Sequence, residues 1–273
     1  MESFLSYYYE FSKKFVFIPN VKKTKYVYPP NNHSKGTQVE VIDIEAYTRF
    51  VDECFEHFSK KNNKPIFVPI SVHFSMEEIK QIVAHYIKKD RFYFWIDFES
   101  YPIDEVQTAR VKTINGLFDK NGYFDKTLAV FTNIKREIIS KRKADESPAS
   151  DILGTSYGAN IIGVDRDPQK PISKPPGPKP AKTDIVEHKS RQFDARTYYY
   201  VKNKTNIETK PQNVTNNSIR LSDEFQKQRQ HFLEKLEIAN YLSTKKMINS
   251  YSNGKILSDI KRTETVQIKL DLV

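Results

Sequence analysis

Cysteine is almost missing from this chain. Cys54 is the only one in 273 residues, which excludes an internal disulfide and a Cys-rich zinc site and fits a reducing cytosol. No apolar run approaches the ~20 residues of a membrane-spanning helix. The opening MESFLSYYYEFSKK lacks the basic start and long apolar stretch of a signal peptide. His33, His57, His73, His85, His188 and His231 are scattered, not clustered at metal-ligand spacing. No Walker loop, GxGxxG, GxSxG or HExxH is present. The resulting expectation is a cytoplasmic protein with no membrane partner, no predicted cofactor and no metal site.

Hydrophobic residues are scarce at 38%, but aromatics reach 13%, so Tyr and Phe must build the core. Lysine and arginine number 44 against 34 acids, a net charge of +10. Such a surplus favours polyanionic partners, RNA or DNA among them, although a lysine-rich solvated surface produces the same count. A homo-oligomer is compatible with everything read here.

Over the first 165 residues, strand-like and helix-like stretches alternate. FVFIPN (15–20), PIFVPIS (65–71), FYFWIDF (92–98), TLAVFTN (127–133) and NIIGVDR (160–166) read as strands. Residues 43–61 place Tyr47, Phe50, Val51, Cys54 and Phe58 on one helical face. Residues 75–89 open with a Ser75/Glu78 capping box, and 104–118 form a third helix. Helical connections are expected over IKREIISKRK and at 150–158. RTYYYVK (196–202) reads as one more strand, 222–248 as a helix, and 266–273 as an edge strand. Alternation of this kind predicts an α/β fold of TIM-barrel-like repeated βα units. About six core strands are countable, short of eight, which leaves an incomplete barrel or an open sheet. The expected division is a barrel-like domain over 1–202, with a Pro/Lys-rich insertion at 167–190, and a C-terminal helical extension over 203–273.

FYFWIDFES carries the candidate chemistry. Side chains alternate along a strand, so Phe92, Phe94, Ile96 and Phe98 form one face, while Tyr93, Trp95, Asp97 and Glu99 form the other. The second face turns from aromatic to acidic toward the carboxyl end, where α/β folds place their sites. NIIGVDR likewise ends in Asp165, followed by Arg166. Asn20, Thr132 and Asn133 end other strands, and His73 lies just past one. Asp97, Glu99 and Asp165 are therefore the candidate catalytic carboxylates. Two carboxyls in distinct environments can divide acid/base and nucleophilic work at a sugar C1′, and the same three could hold a divalent cation. The plainer alternatives are a helix cap for Asp97, a solvated loop position for Glu99 and a strand-end ion pair for Asp165.

Candidate substrate-binding residues are His33 and Lys35 in the loop YPPNNHSKG, His73, Asn133, Arg166, and Arg191 and Arg196 in KSRQFDARTYYY. Arginines beside tyrosines can hold phosphates and stack bases. A tyrosine-rich strand under a helix is the competing reading.

The βα alternation, the acids ending FYFWIDFE and NIIGVDR, and FDARTYYY together resemble the barrel of tRNA-guanine transglycosylase-type proteins, over roughly residues 10–200. That resemblance implies base exchange on nucleic acid, with one strand-end aspartate as nucleophile and one as general acid/base. Asp97 and Asp165 are the matching kind of residue, in either assignment. The family's tRNA enzymes carry a Cys/His zinc site that the lone Cys54 excludes. Two other expectations stand beside this one: a non-catalytic nucleic-acid-binding or assembly module on a degenerate barrel, and a small-molecule, metal-dependent barrel enzyme.

Overall fold

The computed structural model describes residues 2–27, 37–61, 63–135, 145–164, 191–202, 210–233 and 237–250. The chain divides into two compact units, Met1–Lys135 with Tyr157–Gly163, and Arg136–Ser156 with Val164–Val273. The first unit runs α1 (Glu2–Phe11), β1 (Val16–Phe17), β2 (Thr24–Val27), β3 (Thr37–Glu40), α2 (Ile44–Ser59), β4 (Ile66–Ser71), α3 (Met76–Lys88), β5 (Tyr93–Asp97), α4 (Glu105–Lys120) and β6 (Leu128–Ile134). After β7 (Glu146–Pro148) of the second unit it takes up β8 (Ile161–Val164).

β1, β4, β5, β6 and β8 form one curled five-stranded sheet in that order. The register is parallel, with Val16 opposite Ile66, Val68 opposite Phe94 and Ser71 opposite Asp97, then Asp97 opposite Thr132. Strand order therefore follows chain order. Same-handed crossovers in such a sheet put the connecting helices on one face. Among the described residues the sheet is an open half-barrel of five strands, not a closed barrel of eight. β2 and β3 form a separate antiparallel pair.

Sequence accounts for the helices locally. Asp43 and Asp104 cap α2 and α4, accepting from the backbone N–H groups of Ala46 and Gln107 at 2.7 and 2.9 Å. Ser75 and Glu78 form the expected reciprocal box on α3, which satisfies two otherwise unpaired donors. Their apolar stripes are buried: Tyr47, Val51, Cys54 and Phe58 from α2, and Ile79, Ile82, Val83 and Tyr86 from α3. Phe118 of α4 stacks on Phe94 of β5 with centroids 5.0 Å apart. Asp97 does not cap the helix that follows it, since Asp104 has that role.

Pro69 lies inside β4, an interior strand, and offers no N–H to the ladder. Ile18 still donates to the Phe67 carbonyl at 2.9 Å. The Ile18 carbonyl, one step on, accepts instead from the Trp95 indole at 3.2 Å. The Pro69 carbonyl accepts from the hydroxyls of Tyr47 and Tyr86 at 3.0 and 2.8 Å. Burial pushes both phenols above their ordinary range, which keeps them protonated donors. Side chains thus take over where Pro69 interrupts the β1–β4 pairing.

The second unit is built on a three-stranded antiparallel sheet, β7, β10 (Tyr199–Lys202) and β9 (Arg191–Asp194), in that order. It also holds α5 (Lys210–Leu233), α6 (Ile238–Ser243) and α7 (Lys246–Ser250). RTYYYVK is thus half of a hairpin and not a further parallel strand. Its partner strand is RQFD. The stretch 150–158 is a 3-10 helix over Ser150–Tyr157, and the single helix expected over 222–248 is instead the run α5, α6 and α7. Glu224 and Gln228 of α5 are buried. The Tyr198 and Tyr241 hydroxyls donate to Glu224, the latter at 2.7 Å, and Gln228 donates to the Tyr198 hydroxyl at 2.9 Å. Lys245 lies 4.0 Å from the Tyr241 ring centroid. This buried network ties the hairpin to the helices.

Candidate active site

Four parallel strands deliver polar side chains to their carboxyl ends. β5 ends at Asp97, which is 7% exposed. Its Oδ2 accepts from Asn20 Nδ2 at 3.0 Å, just past β1. Its Oδ1 accepts from Asn133 Nδ2 at 2.8 Å on β6 and from the backbone N–H of Glu99 at 2.9 Å. An ionised carboxylate only accepts hydrogen bonds, and three N–H donors converge on this one. Asn20 Oδ1 lies 3.1 Å from the Tyr47 hydroxyl, whose single proton is shared between Asn20 and the Pro69 carbonyl.

Glu99 stands beyond the strand, in a turn. The strict alternation that set it beside Asp97 ends with β5. Its φ of +47° is left-handed, as is the +65° of Ser100 and the +55° of Asn133. Three such non-glycine residues at one end of one sheet are a local concentration of backbone strain, which collects at functional sites. The left-handed turn returns the Glu99 side chain into the protein, where it is 1% exposed, and not to solvent as a loop carboxylate would be. Glu99 Oε1 accepts from the hydroxyl of Ser71, which ends β4. Oε2 lies 2.9 Å from His73 Nε2 and 3.8 Å from the exposed Lys22 ammonium. Burial pushes the Glu99 carboxyl above its ordinary range, against the pull of Ser71 and His73.

The structure therefore brings together Asp97, Glu99, His73 and Asn133 from the expected set. It adds Ser71, Lys22 and Tyr101, which sequence reading missed, and gives Asn20 a direct role. Ser71 had a readable signal, since it ends a strand at the same level as Asp97. Arg191 and Arg196 belong to the second unit. The Arg191 carbonyl accepts from Asn217 at 2.9 Å, and Arg196 is exposed beside Asp194 at 3.7 Å. His33, Lys35, Asp165 and Arg166 lie outside the described residues, as do most of the expected connection IKREIISKRK, the insertion 167–190 and the expected strand 266–273. His57 and His85 are structural, bonded to Ser6 at 3.2 Å and Asp52 at 2.9 Å.

Among the described residues, no group of three or more His, Cys, Asp or Glu is placed to hold a metal ion. No described helix is long and apolar enough to cross a membrane. Chemically, the arrangement offers one carboxylate fixed by amide donors and a second carboxyl in a poorly solvated setting beside an imidazole. No family model, curated protein or solved structure matches the chain.

Proposed function

We propose that the carboxyl end of the half-barrel is a glycosyl-transfer centre that exchanges a base at C1′ of a nucleotide in nucleic acid. The observation that carries this reading is the pairing of Asp97 and Glu99 at one strand end in contrasting surroundings. One is wrapped in N–H donors, and the other is desolvated. Carboxyls whose environments differ in this way divide the work of glycosyl transfer. Asp97 supplies fixed negative charge against the oxocarbenium-like cation that forms as the C1′–N bond breaks. Asn20 and Asn133 hold that charge in position before substrate arrives, so no reorganisation is needed at the moment of reaction. The net charge of +10 suits a phosphate-bearing substrate.

The test is incorporation of radiolabelled guanine into transfer RNA or duplex DNA by the purified protein. Wild type is expected to incorporate label. Asp97→Asn should lower the rate by about 10³-fold or more, the scale of a lost charge-stabilising group, while nucleic-acid binding persists. Unaltered incorporation by Asp97→Asn, or none by wild type on either nucleic acid, overturns the reading.

A further inference from the structure

The Glu99 side chain is 1% exposed, and its carboxyl lies beside a more open group. His73 lies in the segment after β4, with its side chain 28% exposed. Its Nε2 faces Glu99 Oε2 at 2.9 Å. The Tyr101 ring packs edge-on against the imidazole at 5.2 Å between centroids. The His73 backbone N–H donates to Ser71 Oγ at 3.1 Å, and that hydroxyl donates to Glu99 Oε1. Backbone, hydroxyl, carboxylate and imidazole close a ring through three contacts: two hydrogen bonds and the 2.9 Å ion-pair approach of Nε2 to Oε2, which is not an aligned hydrogen bond.

From this geometry we infer that His73 is the proton-transferring residue of the site and Glu99 is its positioning residue. The inference rests on the glycosyl-transfer reading above and adds the path of the proton. The carboxylate charge 2.9 Å from Nε2 favours hydrogen on that nitrogen and leaves Nδ1 as the nitrogen that exchanges protons. As the C1′–N bond breaks, its electron pair stays with the departing base. Protonated His73 gives that nitrogen its Nδ1 proton, so the base leaves neutral. The incoming base then bonds to C1′ through its own nitrogen and returns one proton to Nδ1. Bonds, charge and protons balance over the cycle with no further reactant. The other charged groups beside this pair are Asp97, bonded to the Glu99 backbone, and Lys22, 74% exposed and 3.8 Å from Glu99 Oε2. Neither contact is made to the imidazole.

The experiment reads the ring nitrogens by NMR in ¹⁵N-histidine-labelled protein, with the His73 signals assigned by their loss in His73→Gln. Neutral His73 should show a hydrogen-bearing Nε2 and a bare Nδ1 in wild type. Glu99→Gln should erase that preference, which a purely structural Glu99 would not do. A hydrogen-bearing Nδ1 in wild type, or a pattern indifferent to Glu99→Gln, overturns the pairing without touching the base-exchange reading. In the guanine-incorporation assay, His73→Gln should lower kcat by about 10²- to 10⁴-fold, the usual worth of general acid–base catalysis, with KM unchanged. Full exchange in His73→Gln overturns the His73 role alone. No exchange by wild type overturns both proposals.

Discussion

Asp90 and Gly122 hold the same backbone position at the ends of successive helices. After α3, the N–H of Asp90 bonds Ile87 and that of Arg91 bonds Tyr86, at 3.1 and 3.0 Å; after α4, Gly122 bonds Asp119 and Tyr123 bonds Phe118, at 2.8 and 2.9 Å. Both are the left-handed closure that glycine favours, with φ of +54° at Asp90 and +71° at Gly122. Asp90 also places a negative charge at the negative end of a helix. Asp90→Gly should therefore raise stability by about 1 kcal/mol, read as a shift in the midpoint of denaturant unfolding. Asn133 bears the same strain for a different return, because its amide holds Asp97. The acid at the end of FYFWIDF was legible from alternation alone. Glu99 was placed at the right end for an incomplete reason, since a left-handed turn and not the strand brings it there. Such a turn leaves no trace in a non-glycine sequence.

Between elements, Asp52 of α2 is the anchor for two partners. It accepts from His85 of α3 at 2.9 Å and pairs with Arg91, which is buried just before β5 and lies 4.3 Å from the Phe55 ring centroid. Partial burial works against the Asp52 anion, but hydrogen bonds from His85 and Arg91 outweigh it and hold the carboxyl below its ordinary range. A depressed carboxyl stabilises the fold fully above its unfolded value of roughly 4 and loses that contribution as pH falls through the folded value. Asp52→Asn should cost about 3 kcal/mol at neutral pH, because Arg91 is left without its counter-charge. Chemical denaturation followed across pH should also show a shallower acid loss in the variant. The helices α2, α3 and α4 were readable because caps and 3.6-residue stripes coincide there. α5 was read only from residue 222, because its first turns are Asn- and Thr-rich with poor intrinsic propensity. Tertiary bonds override that preference: Asn217 donates to the Arg191 carbonyl and accepts from the Phe193 N–H, at 2.9 and 2.8 Å. β2 and β3 span four residues each, too short for alternation to mark them, whereas β1 lies inside the expected strand 15–20. In α1 the aromatic run SYYYEF hides the helical period.

For the molecule as a whole, the +10 charge makes a prediction separate from catalysis. Binding to transfer RNA or duplex DNA, measured by fluorescence anisotropy, should weaken about ten- to a hundredfold between 50 and 200 mM salt, as expected for a few released counterions. Salt-independent binding, or none, would remove nucleic acid as the partner. The parallel α/β class was legible in the βα repeats of the first unit, though not in α1 or in the antiparallel β2–β3 pair, whereas the open sheet was foreshadowed only by the missing strands. Of the antiparallel sheet of the second unit only the strand in RTYYYVK was legible, because RQFD and Glu146–Pro148 are too short and too polar to show alternation. The agreement between strand order and chain order in β1, β4, β5, β6 and β8 also bears on how the chain is made. Each new strand docks beside one already present, although each pairing spans a whole crossover, as from Val16 to Ile66 or from Phe94 to Ala129, and such separations slow folding. During N-to-C synthesis the sheet can grow as it emerges. The Asp97 carboxylate gains its last donor only when Asn133 has been added, so a nascent chain carries the scaffold before it carries the chemistry.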